Sequence, residues 1–194
     1  ERIYFDEAPC PNFKIEKDMD DEVFEEFRIN AGLSRAISKE QIIKHMEQQL
    51  SYIHPDAKIG ANVEIAPFVY IDKNVVIGDG TKIMSHVAIL EGARIGKNVV
   101  IFPNAVISAI PQDLKFRGEE TTAEVGDNTK IRECVTINRG TASKGKTVVG
   151  RDCLIMAYSH IAHDCVIGNS VILGNTTQLA GEVIVDDYAI LSGG

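Results

Sequence analysis

Two histidines and an aspartate stand close together in the segment HIAHDC, residues 160–165. His160 and His163 are three residues apart, and Asp164 directly follows the second histidine. A neutral imidazole titrates near physiological pH and can remove the proton of a hydroxyl during its attack on a carbonyl. A neighbouring carboxylate can orient the ring and stabilise the imidazolium that forms. The pair His163–Asp164 is therefore a candidate general base, although a polar corner of a regular fold could use the same residues.

A six-residue repeat surrounds this segment and determines where it lies in the fold. Isoleucine occurs at ten consecutive positions spaced by six, from Ile53 to Ile107. The spacing resumes at 125–137 and again at 149–191, with Ile, Val or Leu at each position. Neither the 3.6-residue period of a helix nor the alternation of a simple strand produces this pattern. Hexapeptide repeats are typical of a parallel β-helix, so we predict a mainly β solenoid.

Each hexad should bury two residues and turn a corner with a polar or glycine-containing pair. Such pairs follow the repeated isoleucine at Asp79-Gly80, Lys97-Asn98 and Asp127-Asn128. Cys153 and Cys165 fall at positions that should face the core, where a small apolar side chain suffices. The four cysteines of the chain form no CxxC pair, and we read them as reduced thiols of a cytoplasmic protein.

The repeat breaks twice, at 108–124 and at 138–148, and both segments should leave the solenoid as loops. Loops on a rigid scaffold often carry binding residues. From Asp113 to Arg151 the chain has eight basic and six acidic residues, whereas its net charge is −8. This local excess of positive charge favours an anionic ligand such as a phosphate, and ordinary solvated loop charges would explain it equally well.

Composition limits the remaining classes of function. The net charge of −8 argues against non-specific nucleic-acid binding, which needs a basic surface. No apolar run approaches the ~20 residues that span a bilayer. Residues 1–50 lack hexads and form a separate segment with two predicted helices, 20–29 and 38–50. The second helix has an apolar face suited to covering an open end of the solenoid. Residues 1–45 could be an extension or a fusion partner, because Met46 resembles a start residue.

The motifs of the second half resemble those of UDP-N-acetylglucosamine O-acyltransferases. IPQDLKFRGEETTAEVGDNTKIRECVTINRGT covers 110–141 and YSHIAHDCVIGN covers 158–169, with QDLK, IRE..TI.RGT and HIAHDC in the order of that family. The resemblance implies a left-handed parallel β-helix of three hexads per coil over 51–194, and a homotrimer with active sites between subunits. It further implies transfer of an (R)-3-hydroxyacyl chain from acyl carrier protein to the 3-hydroxyl of UDP-N-acetylglucosamine. This reaction is the first step of lipid A biosynthesis and uses no cofactor or metal.

With 18 residues per coil, Gly181 and Glu182 should occupy the same corner as His163 and Asp164, one layer along. The backbone N–H of Gly181 could then stabilise the oxyanion formed from the thioester. By resemblance, His163 is the general base, Asp164 its partner and Gly181 the oxyanion donor. The nucleotide sugar would be bound by Gln112, Asp113 and Lys115, with His160 on the acceptor side.

The chain also departs from the family pattern. Glu182 stands where we expect a histidine, and an ionised carboxylate cannot donate a hydrogen bond, so its acceptor contact is in doubt. The sequence ends at Gly194 within a repeat, before the coils and the C-terminal helical region that supply donor-binding residues in the family. We therefore expect the chain by itself to be weakly active or inactive. His86 should be a surface residue or a contact between subunits.

Three alternatives remain at this stage. A related hexapeptide enzyme would use a CoA thioester as donor. A γ-type carbonic anhydrase would place a histidine-ligated zinc between subunits, but the spacing of His160 and His163 does not match the set that family uses. An inactive β-helix scaffold would need neither donor nor acceptor.

Overall fold

The computed structural model describes residues 20, 22, 24, 25, 28 and 50–193. Contacts divide the chain into two compact units, 1–47 and 48–194. In the first unit, Glu22, Phe24, Glu25 and Arg28 are helical, in keeping with the predicted helix over 20–29. The second predicted helix lies outside the described residues except for Leu50, which forms a turn, and its role as a cover stays a prediction. Among the described residues, no helix has the length and apolar character needed to cross a membrane.

The second unit consists of 21 short strands that form three parallel sheets of seven strands each. The strands of the first sheet are β1 (Tyr52–Ile53), β4 (Tyr70–Ile71), β7 (Ala88–Ile89), β10 (Val106–Ala109), β13 (Thr136–Asn138), β16 (His160–Ile161) and β19 (Gln178–Leu179). The second sheet comprises β2 (Lys58–Ile59), β5 (Val76–Ile77), β8 (Ala93–Ile95), β11 (Thr122–Val125), β14 (Lys146–Val149), β17 (Val166–Ile167) and β20 (Ile184–Val185). The third contains β3 (Glu64–Ile65), β6 (Lys82–Ile83), β9 (Val100–Ile101), β12 (Lys130–Ile131), β15 (Leu154–Ile155), β18 (Ile172–Leu173) and β21 (Ile190–Leu191).

Each strand pairs with the strand three places further along the chain, so one coil passes once through every sheet. In the first coils the partners are 18 residues apart, as in Ile53 and Ile71. Across the first loop the spacing becomes 30, since Val100 pairs with Lys130. Across the second loop it becomes 24. Both insertions are whole numbers of hexads, so the six-residue repeat resumes in phase. The predicted fold class, a left-handed parallel β-helix, is confirmed.

The repeated isoleucines form the core of the coil. Most of them are fully buried, and within a strand they alternate with an outward residue, as Ile131 does with exposed Lys130. Cys153 and Cys165 are also buried in this core, as predicted. The first coil departs from the pattern, because Ile59 is 36% exposed. A coil at the end of a stack has a described neighbour on one side only, which accounts for this exposure.

The corners require a left-handed backbone at their second residue. From Asn62 to Asn104, the second residue of each successive corner has a φ between 52° and 87°. Asparagine tolerates this region better than most residues, and glycine adopts it freely, as at Gly80. The predicted corner pairs at 79–80, 97–98 and 127–128 are all turns of this type. This backbone requirement explains why Asn and Gly recur at six-residue spacing.

Both predicted loops are shorter than expected. The first connection runs from 110 to 121 rather than over 108–124, and the second runs from 139 to 145 rather than over 138–148. The neighbouring strands extend into the loop bases, where Ala109 pairs with Asn138 beyond an irregularity at Ser108. On the other side, Thr122 pairs with Lys146. Successive layers both carry an insertion here, so their longer strands pair with one another.

Because neighbouring residues of a strand face opposite sides, we expect alanine substitutions at adjacent positions to change the free energy of unfolding by very different amounts. Ile131→Ala should lower the free energy of unfolding by about 2–5 kcal/mol, because it leaves a cavity at a fully buried site. Lys130→Ala, which changes the outward residue beside it, should alter stability by less than about 0.5 kcal/mol. Urea denaturation followed by circular dichroism measures both. Equal losses in the two variants would contradict the inward placement of the repeated isoleucines.

Candidate functional site

One edge of the β-helix, where the chain passes from the first sheet to the second, carries all of the irregular structure. The two loops leave from this edge in consecutive layers, between β10 and β11 and between β13 and β14. In the next two layers the same edge is formed by the tight corners 163–164 and 181–182. We call this edge the loop edge. The loop edge therefore carries two loops that could bind a ligand, together with His163 and Asp164, the candidate base and its partner.

His163 and Asp164 form a hydrogen-bonded pair at the loop edge. Nδ1 of His163 lies 2.9 Å from Oδ2 of Asp164. An ionised carboxylate can only accept, so Nδ1 carries the proton and donates it to Asp164. The second ring nitrogen, Nε2, then has a free lone pair and can take a proton from a substrate hydroxyl. The histidine side chain remains 19% exposed, whereas the aspartate side chain is fully buried.

The buried carboxylate of Asp164 is held by the second loop. Thr141 donates its backbone N–H to Oδ1 at 2.9 Å and its hydroxyl to Oδ2 at 2.5 Å. The backbone N–H of Asp164 donates to Oγ1 of Thr147. Burial by itself pushes the pKa of Asp164 upwards, but the hydrogen bonds from Thr141 and His163 outweigh it and leave the pKa below its ordinary value. Asp164 therefore stays ionised and orients the imidazole.

Gly181 lies directly against the imidazole of His163. A Cβ atom added to Gly181 would lie 2.5 Å from Cε1 and 2.6 Å from Nε2 of that ring, so any side chain here would displace it. Among the described residues, the N–H of Gly181 donates to no acceptor. The corners between the second and third sheets differ, because the equivalent N–H of Lys97 donates to Oδ1 of Asp127. Gly181 thus leaves an unshielded donor beside the candidate base.

Glu182 also contacts the second loop. One carboxylate oxygen lies 3.6 Å from Nζ of Lys144, and the other accepts the hydroxyl of Ser143 at 3.4 Å. Both charged side chains are partly exposed, so the ion pair contributes little to stability. The predicted role of Glu182 in substrate binding stays a prediction. In this structure its carboxylate lies against the loop that carries Thr141.

His160 lies on the outer face of the first sheet, as its position before an inward isoleucine indicates. It pairs along the sheet with Thr136 on one side and Gln178 on the other. Its Nδ1 lies 2.7 Å from Oγ1 of Thr136. Burial lowers the pKa of His160, which favours the neutral ring at physiological pH. His160 could therefore exchange hydrogen bonds with a ligand without adding charge to the site.

The first loop carries Gln112, Asp113 and Lys115 at the loop edge. Asp113 accepts the N–H of Lys115 on Oδ1 at 2.9 Å and the N–H of Phe116 on its carbonyl at 3.0 Å, which closes a tight turn. Within the described part of the chain, no hydrogen bond or ion pair joins these three residues to the His163–Asp164 pair. The structure therefore brings together the candidate catalytic residues and keeps the candidate nucleotide-sugar residues on a neighbouring loop.

Some of the basic residues between 113 and 151 form ion pairs with carboxylates, and others do not. Most of these basic residues lie within 4.0 Å of a carboxylate, as Lys146 does with Glu124 and Arg132 with Glu133. Over residues 50–193, neither Lys115 nor Arg117 of the first loop makes such an ion pair, although each has an exposed side chain. Over the same residues, exposed Lys130 on β12 also makes no such ion pair. The first loop carries Asp113, Glu119 and Glu120 beside Lys115 and Arg117, so a phosphate could contact these two basic side chains individually, but the loop as a whole has no net positive charge.

Thr141 is the last residue of the motif IRE..TI.RGT, and the sequence alone predicts no function for it. Its contact with Asp164 joins residues 23 positions apart and depends on how the second loop folds. Burial raises the pKa of the Cys153 and Cys165 thiols, so these cysteines are poor candidates for a nucleophile. The His163–Asp164 pair therefore remains the candidate for catalysis at the loop edge.

The Thr141–Asp164 contact predicts a stability difference that depends on pH. At neutral pH, Thr141→Val should be less stable than the parent chain by about 1.5–3 kcal/mol, because it removes a hydroxyl donor from a buried carboxylate. The pKa of Asp164 is depressed in the folded state, so this contribution is present above the unfolded pKa of about 3.9 and is lost as the pH falls through the lower folded value. The deficit of the variant should therefore shrink in acid.

Chemical denaturation between pH 3 and pH 7 measures this difference. Thr141→Ser keeps both donors and serves as the control, with stability close to that of the parent at every pH. A deficit of Thr141→Val that stays constant or grows in acid would contradict the assignment of Asp164 as a buried carboxylate held by this hydroxyl.

Two family models match the β-helix. Residues 48–149, slightly more than half of the chain, match the model described as the GMPPB C-terminal domain. Residues 146–181 match the bacterial transferase hexapeptide model of six repeats. The two matches together cover both loops and the corner 163–164, and they end at Gly181.

Named relatives agree with the motifs. A curated acyl-[acyl-carrier-protein]–UDP-N-acetylglucosamine O-acyltransferase of Thermodesulfovibrio yellowstonii is 50% identical over 138 residues, which cover 71% of this chain and 54% of that protein. The crystal structure of a UDP-N-acetylglucosamine acyltransferase from Bacteroides fragilis is 67% identical, with a TM-score of 0.73, and the match covers 74% of this chain and 56% of that one. The enzyme of Francisella novicida is 49% identical, with a TM-score of 0.73 and coverages of 74% and 53%.

The chain spans about half the length of the relatives it matches. That span contains the hexapeptide coil, the two loops and the corner with His163. Sequence identity and structural similarity together show that the chain belongs to the UDP-N-acetylglucosamine O-acyltransferase family of hexapeptide-repeat proteins.

Proposed function

We propose that this chain carries the general base and the acceptor-binding loop of an acyltransferase. The reaction transfers an (R)-3-hydroxyacyl group from acyl carrier protein to the 3-hydroxyl of UDP-N-acetylglucosamine, the first step of lipid A biosynthesis. One observation carries the proposal, namely the packing of the His163 ring against Gly181 while its Nδ1 is bonded to a buried, ionised Asp164. The names of the relatives support the choice of donor and acceptor.

In this reaction Nε2 of His163 removes the proton of the sugar hydroxyl as its oxygen attacks the thioester carbonyl carbon. The carbonyl oxygen becomes an oxyanion and accepts the N–H of Gly181, a type of contact whose loss costs about 3–4 kcal/mol in the transition state. Asp164 stabilises the imidazolium during this step. When the intermediate collapses, the C–S bond breaks, and His163 returns its proton to the departing thiolate of the carrier. The products are the O-acylated nucleotide sugar and free carrier thiol.

The remaining candidate residues bind the acceptor. Lys115, which is exposed and makes no ion pair within residues 50–193, supplies positive charge for the diphosphate. Gln112 and Asp113 supply an amide and a carboxylate for hydroxyl groups of the ligand. His160, held neutral by burial, contacts the acceptor from the face of the first sheet. Glu182 contacts the substrate once it is released from Lys144. These assignments rest on the family motifs and on the position of each residue at or beside the loop edge.

The same family membership supports proposals about the whole protein. We propose a cytoplasmic homotrimer in which the loop edge of one subunit faces its neighbour, so that the partner closes the open side of the site. Acyl carrier protein approaches as the donor, and no nucleic acid takes part.

Replacement of His163 tests the proposed base. In an assay with radiolabelled UDP-N-acetylglucosamine and 3-hydroxyacyl carrier protein, His163→Ala should reduce transfer by about 10²–10⁴-fold, because general-base catalysis contributes a factor of this size. His86→Ala is the matched control, since His86 is an exposed histidine at a different corner. Its activity should equal that of the parent chain. His163→Ala should also lose some stability, because it removes one of the three donors to the buried Asp164, so the activities are compared at a temperature at which all three proteins are folded by circular dichroism.

A parallel assay with the CoA thioester of the same acyl chain distinguishes the donor. Turnover with CoA alone would overturn the assignment of the carrier protein. Equal activity of His163→Ala and His86→Ala would overturn the assignment of the base. Where the parent chain shows no turnover, its dissociation constant for UDP-N-acetylglucosamine tests the acceptor, and failure to bind at millimolar ligand would contradict the proposal.

A further inference from the structure

Arg139 is a buried arginine between the two loops. It directly follows β13 at the loop edge, and only 8% of its surface is exposed. Its Nε is buried and, within residues 50–193, has no hydrogen-bond partner. Burying a cation with an unpaired donor is unfavourable for folding, so stability alone does not explain this side chain.

The guanidinium of Arg139 is held on one side by the corner of an earlier layer. Its Nη1 donates to the carbonyl oxygen of Glu91 at 3.2 Å and lies 3.7 Å from Oε2 of the same residue. Glu91 is shared with Lys73, whose Nζ lies 3.6 Å from its other carboxylate oxygen. The arginine is therefore anchored to the scaffold and is only partly neutralised there. The guanidinium can therefore still interact favourably with a second, electron-rich group.

That second partner is the aromatic ring of Phe116 in the first loop. Cζ of Arg139 lies 5.5 Å from the centroid of this ring, within the range of a cation–π contact. Phe116 closes the turn that begins at Asp113, to which it donates its backbone N–H. Leu114, in the middle of that turn, is 95% exposed. The contact with Arg139 thus joins the turn that carries Asp113 and Lys115 to the rigid coil.

The bases of the first loop are closed by other groups. The N–H of Arg139 donates to Ala109 at 2.9 Å, and the side-chain amide of Asn138 donates to Ile110 at 3.0 Å. At the other end, the hydroxyl of Thr121 donates to the carbonyl of Gly140. These bonds use the backbone N–H of Arg139, the side-chain amide of Asn138 and the hydroxyl of Thr121, and none of them involves the guanidinium of Arg139. The guanidinium is consequently free to act on the middle of the loop without being needed to close its ends.

We propose that Arg139 is a positioning residue that fixes the turn 113–116 against the coil, through Phe116, on the same loop edge that carries the His163–Asp164 pair. The effect of this contact on acceptor binding rests on the proposed function, because the turn carries Asp113 and Lys115, two of the candidate acceptor-binding residues. The same strand-to-loop segment carries Thr141, which holds Asp164. Within residues 139–141, the side chain of Arg139 contacts the first loop, and Thr141 holds Asp164, the partner of the candidate base.

Proteolysis tests the contact without any ligand. Trypsin cleaves after Lys115 and Arg117 when the loop opens, and mass spectrometry identifies those two cuts. Arg139→Met should increase the rate of these cuts about tenfold, a factor within the range of a partly desolvated cation–π contact. Phe116→Leu, on a loop outside the core, should do the same. Arg151→Met, at an exposed corner on another edge, is the control and should leave the rate unchanged.

The double variant Arg139→Met with Phe116→Leu separates a shared contact from two independent effects. Its cutting rate should equal that of either single variant, since both remove one contact. Arg139→Lys, which keeps a cation near the ring, should restore most of the protection. Cutting at the parental rate in Arg139→Met and Phe116→Leu, or fully multiplicative effects in the double variant, would overturn the inference. Melting curves confirm that each variant is folded.

Binding of UDP-N-acetylglucosamine then connects the contact to the proposed function. The dissociation constant should rise about tenfold in Arg139→Met and in Phe116→Leu, with partial recovery in Arg139→Lys. If the cutting rates change as predicted but the parent chain does not bind this nucleotide sugar, the positioning contact stands and the proposed acceptor is wrong. If the parent binds and the two variants bind equally well, Arg139 does not position the acceptor loop.

Discussion

The parallel pairing of successive coils is the constraint on which the rest of the structure depends. Each strand must present its N–H and C=O groups to the layers on either side, because the core holds no other partners for them. This pairing superimposes residues of equivalent hexads, so that Ile161 lies next to Leu179 and Ile137 lies next to Ile161. Corners that follow these strands are superimposed as a result. The backbone of the coil therefore brings residue 163 next to Gly181, and the hydrogen bond from Nδ1 of His163 to Asp164 orients the imidazole there.

The same constraint gathers the loops. Insertions of whole hexads leave the phase of the coil intact, so a loop can be added at a corner without disturbing the sheets on either side. Two consecutive layers carry such an insertion at the loop edge, and the next two layers place His163 and Gly181 at the same edge. The second loop bends back over the following corner, where Thr141 reaches Asp164. A buried carboxylate is stable there because three donors from Thr141 and His163 surround it.

Much of the coil could be predicted from the sequence because one backbone geometry repeats. The spacing of isoleucine gave the inward residues, and the pairs after them gave the corners. The approach of His163 to Gly181 also followed, once three hexads were assigned to each coil. The bounds of the loops could not be predicted, because Ala109 and Asn138 join their strands only when both insertions are present in neighbouring layers. Contacts across the loops, such as Thr141 to Asp164 and Arg139 to Phe116, depend on non-repeating backbone that no period describes.

A single titration tests whether the loop edge binds the acceptor. Amide ¹H–¹⁵N spectra of the chain should be recorded while UDP-N-acetylglucosamine is added, with Lys97 at a different edge as an internal reference. The arrangement of the site predicts shifts of the amides of Ile110, of 112–121, of Thr141 and of Gly181, with no shift at Lys97. Shifts confined to the other two edges, or unchanged spectra at millimolar nucleotide sugar, would contradict the placement of acceptor loop, base and oxyanion donor at one edge of the coil.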